Sequence, residues 1–116
     1  LDTEYLELKN AGISLAFDTT EEARRPPPRQ VRAGALVLTN VTAYGRNELG
    51  YETFSGALPE GLGFASSRTA VAAALGAPDE TSPVMPIDVW IRSDHRLIID
   101  FDDGGTRIVS VALELP

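Results

Sequence analysis

From Ile13 the chain alternates. Ile13, Leu15 and Phe17 are apolar while Ser14, Ala16 and Asp18 are small or polar, the period of two of a strand with one face buried. The segment before it has a different pattern. Asp2 or Thr3 can cap a short helix with Tyr5, Leu6 and Leu8 on a loosely apolar side, and Gly12 offers a left-handed stop. A second run, Val31 to Val41, is apolar and rich in β-branched residues; it predicts a strand with Gly34 as a possible bulge. The polar, glycine-bounded stretch from Gly45 to Gly50 then predicts a hairpin loop into a third strand, Tyr51 to Ser55.

Turn residues fill Ser55 to Leu62, and a helix of about ten residues, roughly 66 to 76, is expected after them. Ser66 or Ser67 supplies its N-cap oxygen, its middle is rich in alanine, Gly76 offers the exit and Pro78 forbids continuation. Val71, Ala74 and Leu75 fall at helical spacings and define the expected packing face. The last third is a three-stranded meander: Val89 to Arg92, Leu97 to Phe101 and Arg107 to Leu115, joined by Ser93-Asp94-His95 and Asp102-Asp103-Gly104-Gly105. Leu97, Ile99 and Phe101 share one face of its middle strand and are the expected core. The fold expected is α+β in a single domain, 1–116. It has an antiparallel sheet, one short N-terminal helix, one central helix packed on the sheet, and the C-terminal meander.

Composition narrows the chemistry. Among 116 residues there is no cysteine, which excludes disulfides, thiolate catalysis and cysteine-ligated zinc. No apolar run approaches the roughly 20 residues of a membrane span, and the start has no signal-peptide pattern. The chain reads as a cytoplasmic protein, or a periplasmic one if a leader was removed before Leu1. Arg24-Arg25-Pro26-Pro27-Pro28-Arg29 reads as a stiff surface connector, with a proline-motif ligand as the alternative.

The net charge is −7, concentrated in residues 1–22 and 79–116, while the middle is mildly basic. A phosphate backbone repels such a surface and a basic protein cleft attracts it, so nucleic acid is not an expected partner. The candidate steering acids are Asp94, Asp100, Asp102 and Asp103 of the meander with Glu4 and Glu7 near the start. The Asp run could also hold a hard cation, but it lacks calcium-loop spacing, and Asp-Asp-Gly-Gly is ordinary hairpin chemistry. Trp90 is either core or an interface anchor. Tyr44 and Tyr51 flank the 45–50 loop, where tyrosines suit recognition. His95 is the only histidine and has no catalytic partner nearby in sequence, the serines are capping and turn residues, and Gly61 and Gly63 make no phosphate loop. No catalytic, cofactor-binding or metal-ligating residue is expected.

The order Leu58-Pro59-Glu60-Gly61-Leu62, a Ser-capped helix, Leu75-Gly76-Ala77-Pro78, and a Trp-containing meander ending in Phe101-Asp102-Asp103-Gly104-Gly105 carries a resemblance. The part from Gly61 to Leu115 is similar to the helix-plus-meander module of SmpA/OmlA-type envelope lipoproteins and of the β-lactamase-inhibitor protein. The whole chain resembles the small acidic immunity proteins of bacterial polymorphic or type VI secreted toxins. That resemblance implies a non-enzymatic protein that binds and neutralises a cognate toxin by occluding its active site, with a basic nuclease cleft as the partner favoured by charge. The alternative it implies is a non-catalytic, envelope-associated interaction module of the lipoprotein type.

Overall fold

The computed structural model describes residues 4–19, 36–45, 50–82 and 84–115. The expected Asp2/Thr3 cap, the proline run, the Gly34 bulge and the 46–49 part of the hairpin loop lie outside them. The described chain builds one antiparallel sheet from β1 (Glu4–Leu8), β2 (Ile13–Thr19), β3 (Leu36–Tyr44), β4 (Glu80–Thr81), β5 (Ile87–Ile91), β6 (Arg96–Phe101) and β7 (Ile108–Glu114). The spatial order of its seven strands is β1-β2-β3-β7-β6-β5-β4. One helix, α1 (Arg68–Leu75), and two 3-10 turns, Lys9–Ala11 and Pro59–Gly61, complete the described secondary structure.

This architecture corrects the expected two-helix α+β arrangement with a separate three-stranded meander. The N-terminal segment is a strand. Its period is as compatible with two as with three to four, because Leu6 and Leu8 point to one side and Tyr5 and Glu7 to the other. A helix this short is marginal on its own, whereas β2 offers a complete ladder, from Glu4 opposite Phe17 to Leu8 opposite Ile13. Gly12 remains the left-handed residue (φ 73°), now closing the β1–β2 turn. A side chain there would collide with the backbone of Glu52 and Phe54 as well as being strained.

The expected third strand at Tyr51 to Ser55 is instead irregular chain across the sheet end. It is tied there by Glu52 N–H to Lys9 O (2.8 Å) and Phe54 N–H to Tyr44 O (2.9 Å). The three C-terminal strands are not a free-standing meander either. The far edge of β7 pairs with β3, from Asn40 opposite Glu114 to Tyr44 opposite Ser110, and β4 extends the other end. Alternation tells which side chains share a face; it does not tell which distant strand lies alongside.

α1 follows its local signals. The Ser67 side chain accepts from Ala70 N–H (3.1 Å), and Gly76, at φ 91°, donates its N–H to Ala72 O. Val71 is fully buried and Leu75 packs on the core, but Ala74 is exposed; the inward row is Arg68, Val71, Ala72, Leu75. The helix lies over β5, β6 and β7 and is fastened at both ends. Trp90 Nε1 donates to Gly76 O (3.0 Å). Arg68 forks onto buried Asp88 (2.9 and 2.6 Å), whose Oδ1 also accepts from Thr81 Oγ1 (2.6 Å). Leu97, Ile99 and Phe101, with Trp90, Ile108, Val111, Val71, Leu58 and Ala43, form the core.

Candidate functional site

Because the pairing registers are known, the side chains opposite α1 can be placed strand by strand. From the β1 edge inward they are Tyr5 and Glu7, then Ser14, Ala16 and Asp18, then Asn40, Thr42 and Tyr44. They continue with Ser110, Ala112 and Glu114, then Arg96, Ile98 and Asp100, then Ile87, Val89 and Ile91. The central stripe is made of small polar or methyl-sized side chains, so the backbone itself lies close to the surface. A shallow depression of about 390 Å³ sits there, lined by Tyr5, Ser14, Asn40, Thr42, Tyr44 and Glu114 among others.

The ionisable groups of this face are mainly acidic: Glu7, Asp18, Asp100, Glu114 and, on β4, Glu80. Arg96 is the cation set among them, and its guanidinium bridges Glu80 (2.6 Å) to Glu114 (3.3 Å). Asp18 accepts from the buried Thr39 hydroxyl (2.7 Å). Thr39 is the extra residue of a bulge, since Ala16 faces Asn40 and Phe17 faces Leu38. At the end of the stripe Tyr44 stacks on Tyr51, ring centroids 4.1 Å apart, with Lys9 Nζ 5.7 Å from the Tyr51 ring. Burial pushes the Tyr44 phenol up, the nearby Tyr51 and Glu7 add to the rise, and a hydrogen bond with Ser14 opposes it.

The expected site residues do not gather in one place. Glu7, Asp100 and Tyr44 belong to the open face, while Glu4 points to the other side of β1. Tyr51 is 3% exposed and Trp90 1%, so the first is packed against the Tyr44 ring and the second sits in the core. Asp94 projects from the β5–β6 turn beside His95 Nδ1 (2.7 Å), which lowers its pKa. Asp102 is occupied by its own turn. It accepts from Thr106 N–H (2.7 Å) and the Thr106 hydroxyl, and lies 3.6 Å from Arg107 Nε, contacts that hold its pKa down. Asp103 stands beside it at the margin of a second depression, near Arg68 and Gly105. Asp94 and Asp102 therefore sit at opposite ends of β6, about 20 Å apart at strand rise, rather than in one patch.

Among the described residues no group of three or more His, Cys, Asp or Glu is placed to hold a metal ion, and no helix is long and apolar enough to cross a membrane. No family model, curated protein or solved structure matches the chain. Three acids absent from the sequence-based set, Glu114, Asp18 and Glu80, join Glu7 and Asp100 on the face opposite α1. The signal for Asp18 was present, since it shares parity with Ser14 and Ala16. Glu114 likewise shares parity with Ser110 and Ala112; that it stands on the same side as Asp18 follows from the β2–β3 and β3–β7 pairings.

Proposed function

We propose that the protein is an immunity-type inhibitor that binds a cognate secreted bacterial toxin, acting by occlusion rather than by chemistry of its own. The toxin surface it fits is basic, as a nuclease cleft is. The observation that carries this reading is the sheet face opposite α1: a broad stripe of Ser14, Ala16, Asn40, Thr42, Ser110 and Ala112, bordered by Glu7, Asp18, Asp100 and Glu114. Small side chains on a hydrogen-bonded sheet form a preorganised platform that loses little entropy on docking, and the carboxylates steer a cationic partner and fix its orientation.

The reading expects a toxin gene beside this protein's gene, and the test uses that gene's product. The wild type should block its activity, with a Kd that weakens steeply as salt is raised from roughly 50 to 500 mM. Ala16→Arg with Ala112→Arg, which add bulk and positive charge to the stripe and remove no hydrogen-bonding side chain, should weaken binding by about 100-fold or more with the fold intact. Binding that ignores both salt and this double substitution would refute the reading.

A further inference from the structure

The edge of the sheet offers a second mode of recognition. Among the described residues β1 is the outermost strand, paired with β2 on one side, and all five of its residues are exposed; the opposite edge strand, β4, has only two. Three exposed large apolar side chains lie on this one strand, Tyr5 69%, Leu6 48% and Leu8 42% exposed; Val84, Met85 and Ile91, the others among the described residues, lie in or next to β5. Several common guards of a free edge are missing: Glu4–Leu8 contains neither lysine nor proline, and its pairing with β2 has no bulge. Glu4 and Glu7 form no ion pair among the described residues.

We propose that the β1 edge is a strand-addition site for an extended partner segment that carries two basic residues three positions apart, the first of them flanked by apolar residues. The outward N–H and C=O groups of β1 would pair with the backbone of the segment. Its Lys or Arg side chains would stand opposite Glu4 and Glu7, and its Val or Ile side chains opposite Leu6 and Leu8. A second copy of this chain fits the edge worse, because it brings another net charge of −7 and sets Glu4 and Glu7 of both copies along one seam. The inference deepens the inhibitor reading and rests on it for the sign of the partner's charge; the backbone-mediated mode of contact is its own claim.

The test is a short synthetic peptide built around Val-Lys-Val-Thr-Lys, which run antiparallel to β1 sets Lys opposite Glu7 and Glu4 and Val opposite Leu8 and Leu6, titrated into the full chain with amide hydrogen exchange as the map. Binding should protect amides of Glu4–Leu8. N-methylation of alternate peptide amides, which leaves the charge unchanged but removes ladder donors, should abolish binding. The double substitution Glu4→Lys/Glu7→Lys, at exposed positions, should reverse the preference toward the same peptide with Glu in place of both Lys by roughly ten-fold or more. If the N-methylated peptide binds as well as its parent, or protection falls outside β1, the edge inference is overturned while the open-face reading survives. A concentration-dependent dimer whose seam is β1 would also overturn it. Peptide captured on β1 by a protein that fails to inhibit its neighbouring toxin would support the edge inference and sink the inhibitor reading.

Discussion

The two ends of the sheet are built on the same alternation and have opposite fates. Under α1, the inward residues of β5, β6 and β7 are sealed: Leu97 and Ile99 are 0% exposed, and Trp90 and Ile108 1%. On the β1–β2 wing the residues of the same parity, Leu6 and Leu8, remain nearly half exposed. The difference comes from what lies on top. α1 is short, but Arg68 at its start grips Asp88 and Gly76 at its end receives Trp90, so it is held over the three strands beneath it. Stability is thereby concentrated in one half of the molecule, and the β1–β2 wing carries an exposed edge strand with Glu4 and Glu7 on it. Regions that meet partners are commonly drawn from the less buried end of a structure.

The sharpest way to break this contrast is truncation. Ile99→Ala should cost about 2–5 kcal/mol in denaturant unfolding, because the site is enclosed on all sides. The equivalent loss on the wing, Leu6→Ala, should cost below about 1 kcal/mol. Equal costs would mean that the two halves are not energetically distinct.

A smaller effect should come from the clamp. Asp88→Asn keeps the shape but removes the charge from the pair with Arg68, and should cost about 2 kcal/mol near neutral pH. The Arg68 guanidinium beside Asp88 holds that carboxyl below its ordinary range. The folded state therefore binds its proton more weakly than the unfolded chain does. The stabilisation is complete above the ordinary carboxylate value, about 4, and is lost as pH falls through the depressed folded value. Unfolding curves from pH 6 downward should show the wild type weakening on acidification. The Asn variant should follow a shallower acid slope, with the part contributed by Asp88 missing; an identical slope would remove the clamp from the account.

The finest comparison is hydrogen exchange without any substitution. The amides of Arg96–Phe101 should exchange only through near-global opening, and those of Glu4–Leu8 orders of magnitude faster. A uniform profile would show that the wing is as firmly held as the clamped half.

Much of the clamped half was legible in the chain, because its signals are local. The Ser67 cap, the alanine run and the Gly76 exit specify α1, and the alternation of Leu97, Ile99 and Phe101 specifies a buried face. The N-terminal strand was not, since Tyr5-Leu6-Glu7-Leu8 suits a helix nearly as well as a strand until β2 is beside it. Asp102 illustrates the same limit at the candidate site. Its sequence context marked a turn and a carboxylate alike, and only the hydrogen bonds from Thr106 show the carboxylate used up within the turn.

By itself, then, the sequence determined which residues alternate, where α1 begins and ends, and that the surface is acidic, because each of these depends on residues within a turn or two of one another. The tertiary structure decided that β7 lies against β3, that Glu114, Asp18 and Glu80 join Glu7 and Asp100 on the face opposite α1, and that β1 is the outermost of the described strands. Pairing between strands about 70 positions apart is chosen by the sum of packing across the whole sheet, and no short stretch of chain carries that sum.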